Sequence, residues 1–422
     1  MTILIRNVRV IDPSQPMDEV NDLFIREGKV TPPFSEKPDR LLDGTGLIAM
    51  PGLIDVHVHL REPGNEAAET LRTGCAAALA GGFTSIVCMP NTTPPLDNPE
   101  IVTDLCSQVE QLNLVRLFVA ACVTVKRAGE SLTDFEQLKA AGAVAVTDDG
   151  DAVPQARLLR RALEEASRQN LVLADHCEDH SLADGGVVNE GDVSRKLGVK
   201  GRPACAEDIT IARDIILAED TGARLHLQHL STARSAHMVR EAKARGVAVT
   251  AEVTPHHLTL TETDIAHGDA NFKMNPPLRT AEDVEALREA LREGVLDCVA
   301  TDHAPHTAES KALPLPQAPS GVIGMETALA VLWSELVYRG HLSETRLVEC
   351  MSLAPARAFG IEGGCLKIGS RADVTLFDPQ KEWTVRREAF RSKSRNCPFA
   401  GRTLRGKVMT MIVGGDIRYE AD

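Results

Sequence analysis

Aromatic residues are scarce in this chain, since Phe, Trp and Tyr together make up 3% of its 422 residues. With 43% hydrophobic residues overall, the core must rely mainly on Ala, Leu and Val. No uninterrupted apolar run reaches the roughly 20 residues that a membrane-spanning helix requires. The N-terminal MTILIRNVRV also lacks the basic start and long apolar stretch of a signal peptide. These absences predict a soluble, cytoplasmic globular protein.

Cysteine motifs are missing as well. The ten cysteines are scattered along the chain, and no two of them are spaced as CxxC. Most lie in apolar stretches, where a free thiol behaves as a small hydrophobic side chain. This usage fits a reducing compartment better than a disulfide-linked fold.

Positive charge is in deficit, because 46 Lys and Arg residues face 60 Asp and Glu residues and give a formal net charge of -14. This excess of acidic groups argues against nonspecific binding to nucleic acid or to an anionic membrane. An anionic substrate stays open, since a site can be locally positive within an acidic protein.

From residue 51 onward, short apolar runs alternate with longer amphipathic segments. The runs are nearly continuous in hydrophobic residues, as expected for strands buried on both faces of a parallel sheet. Eight of them occur, at residues 53–60, 82–90, 114–123, 143–149, 171–178, 223–230, 247–253 and 296–306. Eight successive strand–helix units predict an α/β fold, a TIM-type (β/α)8 barrel over residues 51–364. A doubly wound open sheet is the alternative, but no GxGxxG follows any of these runs.

Both chain ends differ from the barrel region. Residues 1–50 and 365–422 contain short strand-like runs with turn residues between them, such as ILIRNVRVID and RADVTLFD. Neither segment alone could bury much apolar area. We therefore expect the two ends to pair into one small β-domain that flanks the barrel.

Polar side chains gather where the apolar runs end. Because the C-terminal ends of all barrel strands open onto one face, residues far apart in the chain are expected to meet there. The residues concerned are His57, His59, Asn91, Asp148, Asp149, His176, His229, Asp302 and His306. Their convergence predicts an active site at this face.

The first run contains the pattern HxH. His57 and His59 are separated by one residue, so on a strand both side chains face the same way. Two such histidines at a barrel mouth can bind one zinc ion, and hydrogen-bonded core histidines are the alternative. By the same alternation, His226 is expected to face the helices. Three residues at other strand ends favour the ligand interpretation: His176, His229 and Asp302.

These donors suffice for two metal ions if a carboxylate bridges the ions. The fourth run supplies two candidates, Asp148 and Asp149, and spacing alone does not choose between them. Two bridged cations with a hydroxide between them lower the pKa of that water enough to make a nucleophile near neutral pH. Asp302 would accept its proton and deliver it to a leaving nitrogen. The predicted chemistry is hydrolysis of a carbon–nitrogen bond, or the reverse reaction.

Eight motifs run along nearly the whole chain. They are PGLIDVHVHLREPG (51–64), MPNTTPPLDN (89–98), TDDG (147–150), ADHCED (174–179), LQHLST (227–232), EVTPHHL (252–258), MNPPLR (274–279) and ATDHAPH (300–306). Together they resemble the bacterial class I dihydroorotases of the amidohydrolase superfamily. The resemblance implies a metal-dependent barrel with a flanking β-domain. It also implies reversible conversion of N-carbamoyl-L-aspartate to (S)-dihydroorotate in pyrimidine synthesis.

The resemblance further implies roles for single residues, with one or two zinc ions per chain. The implied metal ligands are His57, His59 and Asp302 for one ion, Asp149 as the bridge, and His176 and His229 for the second ion. The implied substrate contacts are Arg61, Asn91 and His306 for the carboxylate, and Asn275, Ser320, Gly321 and His59 for the rest of the molecule. Arg61 could also be a surface salt-bridge residue, although its fork of donors suits a planar carboxylate better.

One departure bears on the subclass. Related hydantoinases, allantoinases and some dihydroorotases bridge their metals with a carbamylated lysine at the fourth strand, and no lysine stands there in this chain. A related cyclic amidohydrolase is one alternative function, and a scaffold subunit of an aspartate transcarbamoylase complex is another. A homo-oligomer, or activity only together with aspartate transcarbamoylase, also stays open.

Residues 307–322 form a polar, Pro-rich stretch directly after His306. We expect a mobile lid over the barrel mouth, because long loops at that face usually have a function. A disordered excursion is the alternative.

Overall fold

A barrel of eight parallel strands forms the centre of the computed structural model, which describes residues 1–421. Its strands are Leu53–Val58, Phe83–Cys88, Arg116–Ala121, Ala143–Val146, Val172–Asp175, Leu225–Leu227, Val249–Val253 and Cys298–Val299. The sheet nearly closes where Val58 bridges His303 and the N–H of His59 donates to the His303 carbonyl at 2.9 Å. Each strand lies within a predicted run, and the predicted (β/α)8 barrel is confirmed.

Helices connect the barrel strands. Those of six or more residues are Leu71–Gly81, Pro99–Leu112, Phe135–Ala140, Ala156–Arg168, Asp192–Leu197, Cys205–Thr221, Ala233–Ala244, Ala281–Arg292, Glu344–Met351 and Leu353–Phe359. Shorter helices are His180–Ala183, Pro255–Thr259, Ala308–Lys311 and Ala328–Leu332, and a small parallel ribbon joins Val188–Asn189 to Gly201–Arg202. Among residues 1–421, none of the helices is both long enough and apolar enough to pass through a bilayer.

Sequence periodicity explains how these helices pack. In the helix Ala156–Arg168, Leu159 and Leu163 are fully buried, whereas Arg160 is exposed and pairs with Glu164 at 2.8 Å. Residues four apart lie on one face of a helix, so the apolar face meets the barrel while the charged face meets water. The helix Ala281–Arg292 begins with a capping box, in which Thr280 accepts the N–H of Asp283.

The second sheet joins the two chain ends. Its strands are Thr2–Asp12, Met17–Arg26, Lys29–Thr31, Arg40–Asp43, Ile48–Pro51, Val374–Thr384, Thr403–Val413 and Asp416–Glu420. The strand Ile48–Pro51 links them, because it pairs in parallel with Thr2–Asp12 and antiparallel with Val374–Thr384. The expected flanking sheet from both ends is confirmed, while residue 422 of the predicted domain lies outside the described residues.

Candidate active site

All six predicted metal ligands lie together at the C-terminal ends of the barrel strands. They are His57, His59, Asp149, His176, His229 and Asp302, and each is at most 7% exposed. His57 belongs to the first strand, and the other five residues follow the ends of the first, fourth, fifth, sixth and eighth strands. Parallel strands end at the same edge of a barrel, which is why these distant parts of the chain meet.

One group of donors contains His57, His59 and Asp149, whose ligand atoms lie within 4.8 Å of one another. Nε2 of His57 is 3.2 Å from Oδ1 of Asp149, and Nε2 of His59 is 3.5 Å from Oδ2 of the same carboxylate. Asp302 joins this group, since its Oδ1 lies 3.0 Å from Nε2 of His59 and 3.6 Å from Nε2 of His57. Two imidazoles and two carboxylates thus surround one position.

A second group contains Asp149, His176 and His229. Nδ1 of His176 lies 2.8 Å from Nε2 of His229, and these two nitrogens are 3.6 Å and 3.8 Å from Oδ1 of Asp149. Asp149 therefore belongs to both groups. A carboxylate between two groups of donors is the arrangement that a pair of bridged metal ions requires.

The neighbouring Asp148 is engaged elsewhere. Its carboxylate accepts the N–H of Thr124 at 3.0 Å and also the hydroxyl of Thr124. Arg127 donates to the carbonyls of Asp148 and Asp149 at 3.2 Å and 2.7 Å, and so holds the turn that contains both residues. Of the two carboxylates that spacing leaves open, Asp149 is the one that lies among the histidines.

Three buried atoms of this cluster have no hydrogen-bond partner within residues 1–421: Nδ1 of His229, and Nε2 of His57 and Oδ1 of Asp149, which lie 3.2 Å from each other. Such atoms are rare in folded proteins, because an unpaired buried polar group costs free energy. A divalent ion would satisfy Nε2 of His57 and Oδ1 of Asp149, and imidazole nitrogen and carboxylate oxygen are donors that zinc and similar ions accept. The residues therefore fit a metal centre.

The charges of the cluster stabilise one another. Burial opposes ionisation of Asp149, but the charge of His57 and the nearby imidazoles of His176 and His229 outweigh it and hold the pKa of Asp149 well below its usual range. Burial likewise opposes protonation of His57, but Asp149 and Glu252 outweigh it and raise the pKa well above its usual range. A place that stabilises an imidazolium also stabilises a metal cation.

Sequence patterns do not predict Glu252, which supports the cluster from below. This residue of the strand Val249–Val253 is fully buried, and its carboxylate accepts Nδ1–H of His57 at 2.6 Å. It also contacts Nε2 of His226 at 3.0 Å and accepts the backbone N–H of His229 at 3.2 Å. The bond to Nδ1 leaves Nε2 of His57 for a metal ion. A glutamate inside the apolar run VAVTAEV was the available signal, since a buried charge needs a partner.

Strand alternation predicts the wrong side for His226. Its ring lies 3.0 Å from Glu252, the carboxylate that also binds His57 inside the barrel, and 2.8 Å from Thr250 Oγ1. The ring of Phe359, the last residue of the helix Leu353–Phe359, packs against it with 4.9 Å between the ring centroids. The strand Leu225–Leu227 has only three regular residues, and His229 has a φ of 33°. The two-residue period therefore does not extend from His226 to His229.

Three residues of the site have a left-handed backbone, namely Arg61 (φ 61°), His229 (φ 33°) and Asp302 (φ 46°). Residues other than glycine seldom adopt this conformation, which costs about 1–3 kcal/mol each. It persists only where surrounding contacts hold it. All three residues stand just beyond a strand end, where the chain leaves the sheet while its side chain faces the shared cavity.

A cavity of about 240 Å³ opens beside the donor cluster. Asp149 and Asp302 lie in its wall together with His176 and His229. The residues expected to contact substrate all line it as well: His59, Arg61, Asn91, Asn275, His306, Ser320 and Gly321. Donors for a metal ion and groups for a substrate thus share one space.

Arg61 is not a surface ion-pair residue. Its side chain is partly buried, its Nε donates to the carbonyl of Pro305 at 3.1 Å, and within residues 1–421 no carboxylate forms an ion pair with it. Burial lowers the pKa of Arg61 to about 10, which leaves the guanidinium charged at neutral pH. A cation that lines a cavity without a counter-ion can bind an anionic group there.

Asn91 and His306 line the same cavity as Arg61. Oδ1 of Asn91 is 2.8 Å from Nδ1 of His59, so this amide also orients a predicted metal ligand. Nε2–H of His306 donates to the carbonyl of Ser320 at 2.7 Å. Burial and the charges of Arg61 and Lys311 lower the pKa of His306 to about 3, so its imidazole is neutral.

Asn275, which also lines the cavity, belongs to a second polar network. Its Nδ2 lies 3.2 Å from Nε2 of His176 and 3.3 Å from Glu178. Arg202 contacts both the oxygen of Asn275 and, at 2.8 Å, the carboxylate of Glu178. Sequence patterns predict neither Glu178 nor Arg202, although Glu178 stands within the motif ADHCED.

Known proteins resemble this chain in both sequence and structure. The sequence model of the family described as Dihydro-orotase-like matches residues 46–235. A dihydroorotase of Pelotomaculum thermopropionicum is 47% identical over 420 residues, covering 99% of this chain and 98% of the relative. A dihydroorotase of Aquifex aeolicus is 44% identical, with 100% of both chains covered. The solved L-hydantoinase (dihydropyrimidinase) of Arthrobacter aurescens superposes with a TM-score of 0.89 at 26% identity, covering 99% of this chain and 96% of its own.

Glu252→Gln should weaken binding of divalent metal about 10- to 100-fold, as is usual when the partner of a ligating histidine is changed. The glutamine keeps the size of the side chain but loses the charge that orients Nδ1 of His57. Metal content after dialysis against a graded series of chelator concentrations measures the effect. Glu285→Gln, at a side chain that is 62% exposed, is the control and should bind metal normally. Unchanged metal retention in E252Q would contradict the supporting role of Glu252.

Proposed function

Because the chain belongs to the dihydroorotase family, we propose that it interconverts N-carbamoyl-L-aspartate and (S)-dihydroorotate at the cavity described above. It is a cyclic amide hydrolase, a class in which water opens a ring amide and the reverse reaction closes it. One observation supports the substrate most directly: Arg61, without a carboxylate partner in residues 1–421, lines the same cavity as the metal donors. Dihydroorotate carries a carboxylate close to its ring amide. The carboxylate would bind to Arg61, and the ring amide would lie at the metal donors.

We infer that the metal is zinc, with one or two ions per chain. His57, His59 and Asp302 would hold one ion, His176 and His229 the other, and Asp149 would bridge them. Bound divalent ions of this kind lower the pKa of a coordinated water and polarise a carbonyl, which supplies a nucleophile near neutral pH. The mixed imidazole and carboxylate donors of the cluster support this assignment.

Asp302 is the proposed general base and acid. Burial opposes its ionisation, but a hydrogen bond from His59 and the charges of His57 and His59 outweigh it and hold the pKa of Asp302 below its usual range. The carboxylate is therefore ionised at neutral pH and can accept a proton from the attacking water. When the ring C–N bond breaks, Asp302 passes that proton to the leaving nitrogen, and in cyclisation the transfers run in reverse.

The remaining residues of the cavity would orient the substrate. Arg61, Asn91 and His306 line the cavity and would hold the carboxylate, with Arg61 as the cation and His306 as a neutral imidazole. Asn275, Ser320 and Gly321 line the cavity as well and would contact the ring. Contacts to both the carboxylate and the ring would fix the orientation of the ring amide relative to Asp302. Holding the reacting groups in this way accelerates a reaction.

A panel of cyclic amides tests the proposed substrate. Dihydroorotate should be turned over faster than hydantoin or allantoin, because a neutral hydantoin offers no carboxylate to Arg61. The higher identity to dihydroorotases, 47% against 26% for the L-hydantoinase, favours the same order. Faster hydrolysis of hydantoin or allantoin would overturn the proposal.

We also propose that the chain works in the cytoplasm, either as a homo-oligomer or in a complex with aspartate transcarbamoylase. All ten cysteines are free in the structure, which suits a reducing compartment. One chain contains both groups of metal donors, so a partner is not needed to supply ligands. Light scattering, metal analysis and turnover with and without aspartate transcarbamoylase would distinguish these states and test the scaffold alternative.

Arg61→Met should lower kcat/KM for dihydroorotate about 10- to 150-fold, the usual effect of removing a hydrogen-bonded charge. Steady-state kinetics and metal analysis on the same sample measure it, and metal content should stay normal. Arg245→Met, at a surface arginine paired with Glu219 at 3.1 Å, is the control and should leave kcat/KM unchanged. Loss of metal in R61M would instead give Arg61 a structural role.

Asp302→Asn should lower kcat about 10²- to 10⁴-fold, because the amide cannot accept the proton that the reaction releases. Initial rates in both directions measure the loss, with metal content determined in parallel because Asp302 also adjoins the ligand His59. Asp104→Asn, at an exposed helical carboxylate, is the control. A kcat within about threefold of the wild type would remove Asp302 from the mechanism.

A further inference from the structure

Residues 312–321 form an irregular segment of the cavity wall. They follow the helix Ala308–Lys311 and precede Val322, which bridges to His303 beside the eighth barrel strand. The segment contains no helix or strand, so its backbone carbonyls need partners from elsewhere. The side chains of Lys273 and Lys311 donate hydrogen bonds to five of these carbonyls.

Lys273 occupies the inner side of this segment. Its ammonium donates to the carbonyls of Ala318 at 2.6 Å, Leu315 at 2.8 Å and Pro316 at 3.3 Å. Its own backbone carbonyl accepts the N–H of Gly321 at 2.9 Å. Lys273 is two residues before Asn275, so these bonds tie two parts of the cavity wall together.

Lys311 holds the end of the segment in the same way. Its ammonium donates to the carbonyls of Gly321 at 2.9 Å, Pro319 at 3.0 Å and Lys273 at 3.4 Å. Ser320, between two of these carbonyls, accepts a hydrogen bond from His306 at 2.7 Å. The backbone at Ser320 and Gly321 is therefore fixed from both sides.

These two cations are difficult to explain by stability alone. Each side chain is 7% exposed, and within residues 1–421 neither forms an ion pair with a carboxylate. Burial and the nearby charge of Lys273 lower the pKa of Lys311 to about 7. A buried charge is costly even when backbone dipoles surround it, and an apolar side chain of similar size would avoid that cost.

Close packing at Gly321 shows that the wall has little freedom to shift. Its φ is 130°, and a Cβ there would lie 2.8 Å from both Nε2 of His306 and Cβ of Ala304. Asn396 adds a further restraint by donating to the carbonyls of Ala304 and Gly321 at 3.0 Å and 3.1 Å. A displacement of this backbone would thus also displace His306.

We propose that Lys273 and Lys311 are positioning residues that hold residues 312–321 as a fixed wall of the substrate cavity and thereby set the affinity for substrate. The wall is in place before substrate binds, in contrast to a mobile lid. The proposal rests on the proposed function only for the identity of that substrate.

Hydrogen exchange in the metal-loaded wild-type enzyme is the first test. The amides of residues 312–321 should already exchange slowly without dihydroorotate, because the segment is held by the two lysines. Rapid exchange that becomes slow only with saturating dihydroorotate would identify a lid and overturn the proposal. Slow exchange in the enzyme without substrate supports a fixed wall whether or not the enzyme turns over dihydroorotate. A lack of turnover would contradict only the proposed function.

Lys311→Met is the second test, with kinetics and exchange measured on the same preparation. We expect a KM for dihydroorotate raised about tenfold, kcat within about threefold, normal metal content and faster exchange in residues 312–321. Lys139→Met, at an exposed lysine of the helix Phe135–Ala140, is the control and should match the wild type. An unchanged KM, or a loss of kcat without a change in KM, would overturn the positioning role. If K311M does not fold, K273M tests the same expectation.

Discussion

The rest of the site depends on the attraction between the buried carboxylate of Asp149 and the histidines around it. This carboxylate is 2% exposed and lies within 4 Å of nitrogens from four histidines. A carboxylate removed from water needs cations or strong hydrogen bonds around it. Three other strand ends supply the imidazoles, Arg127 holds the turn from outside, and Glu252 fixes the tautomer of His57. The meeting of the strand ends and the buried carboxylate of Glu252 thus lower the free-energy cost of burying the charge of Asp149.

Much of this candidate site is predictable from sequence, because its proposed metal ligands lie at strand ends and the strands are apolar runs. The motif HVH and the single residues Asp302, His176 and His229 stand at positions that any parallel barrel brings together. The division between Asp148 and Asp149 is not predictable in this way. It depends on which carboxylate Thr124 binds, and that contact joins two separate strand ends.

Residues that act through contacts across strands or loops also escape prediction. Arg202, Lys273 and Lys311 occur in segments whose local pattern indicates nothing unusual. The apolar run around Glu252 indicates that this carboxylate needs a partner, but not that the partner is His57. The position of His226 shows the limit of periodicity, since a strand of three residues is too short to transmit the alternation of side chains to its end. Long-range pairing, rather than local propensity, determines these parts of the structure.

Arg61, His229 and Asp302 have a left-handed backbone, so at these three positions the proposed role of the side chain is opposed to the stability of the fold. Glycine at any one of them would relax a strain of about 1–3 kcal/mol and would remove a functional side chain. Selection for thermal stability alone would therefore favour substitutions at these positions that lower activity. A more stable descendant that keeps its activity would have to gain its stability in regions remote from the barrel mouth, such as the helical exterior and the flanking sheet.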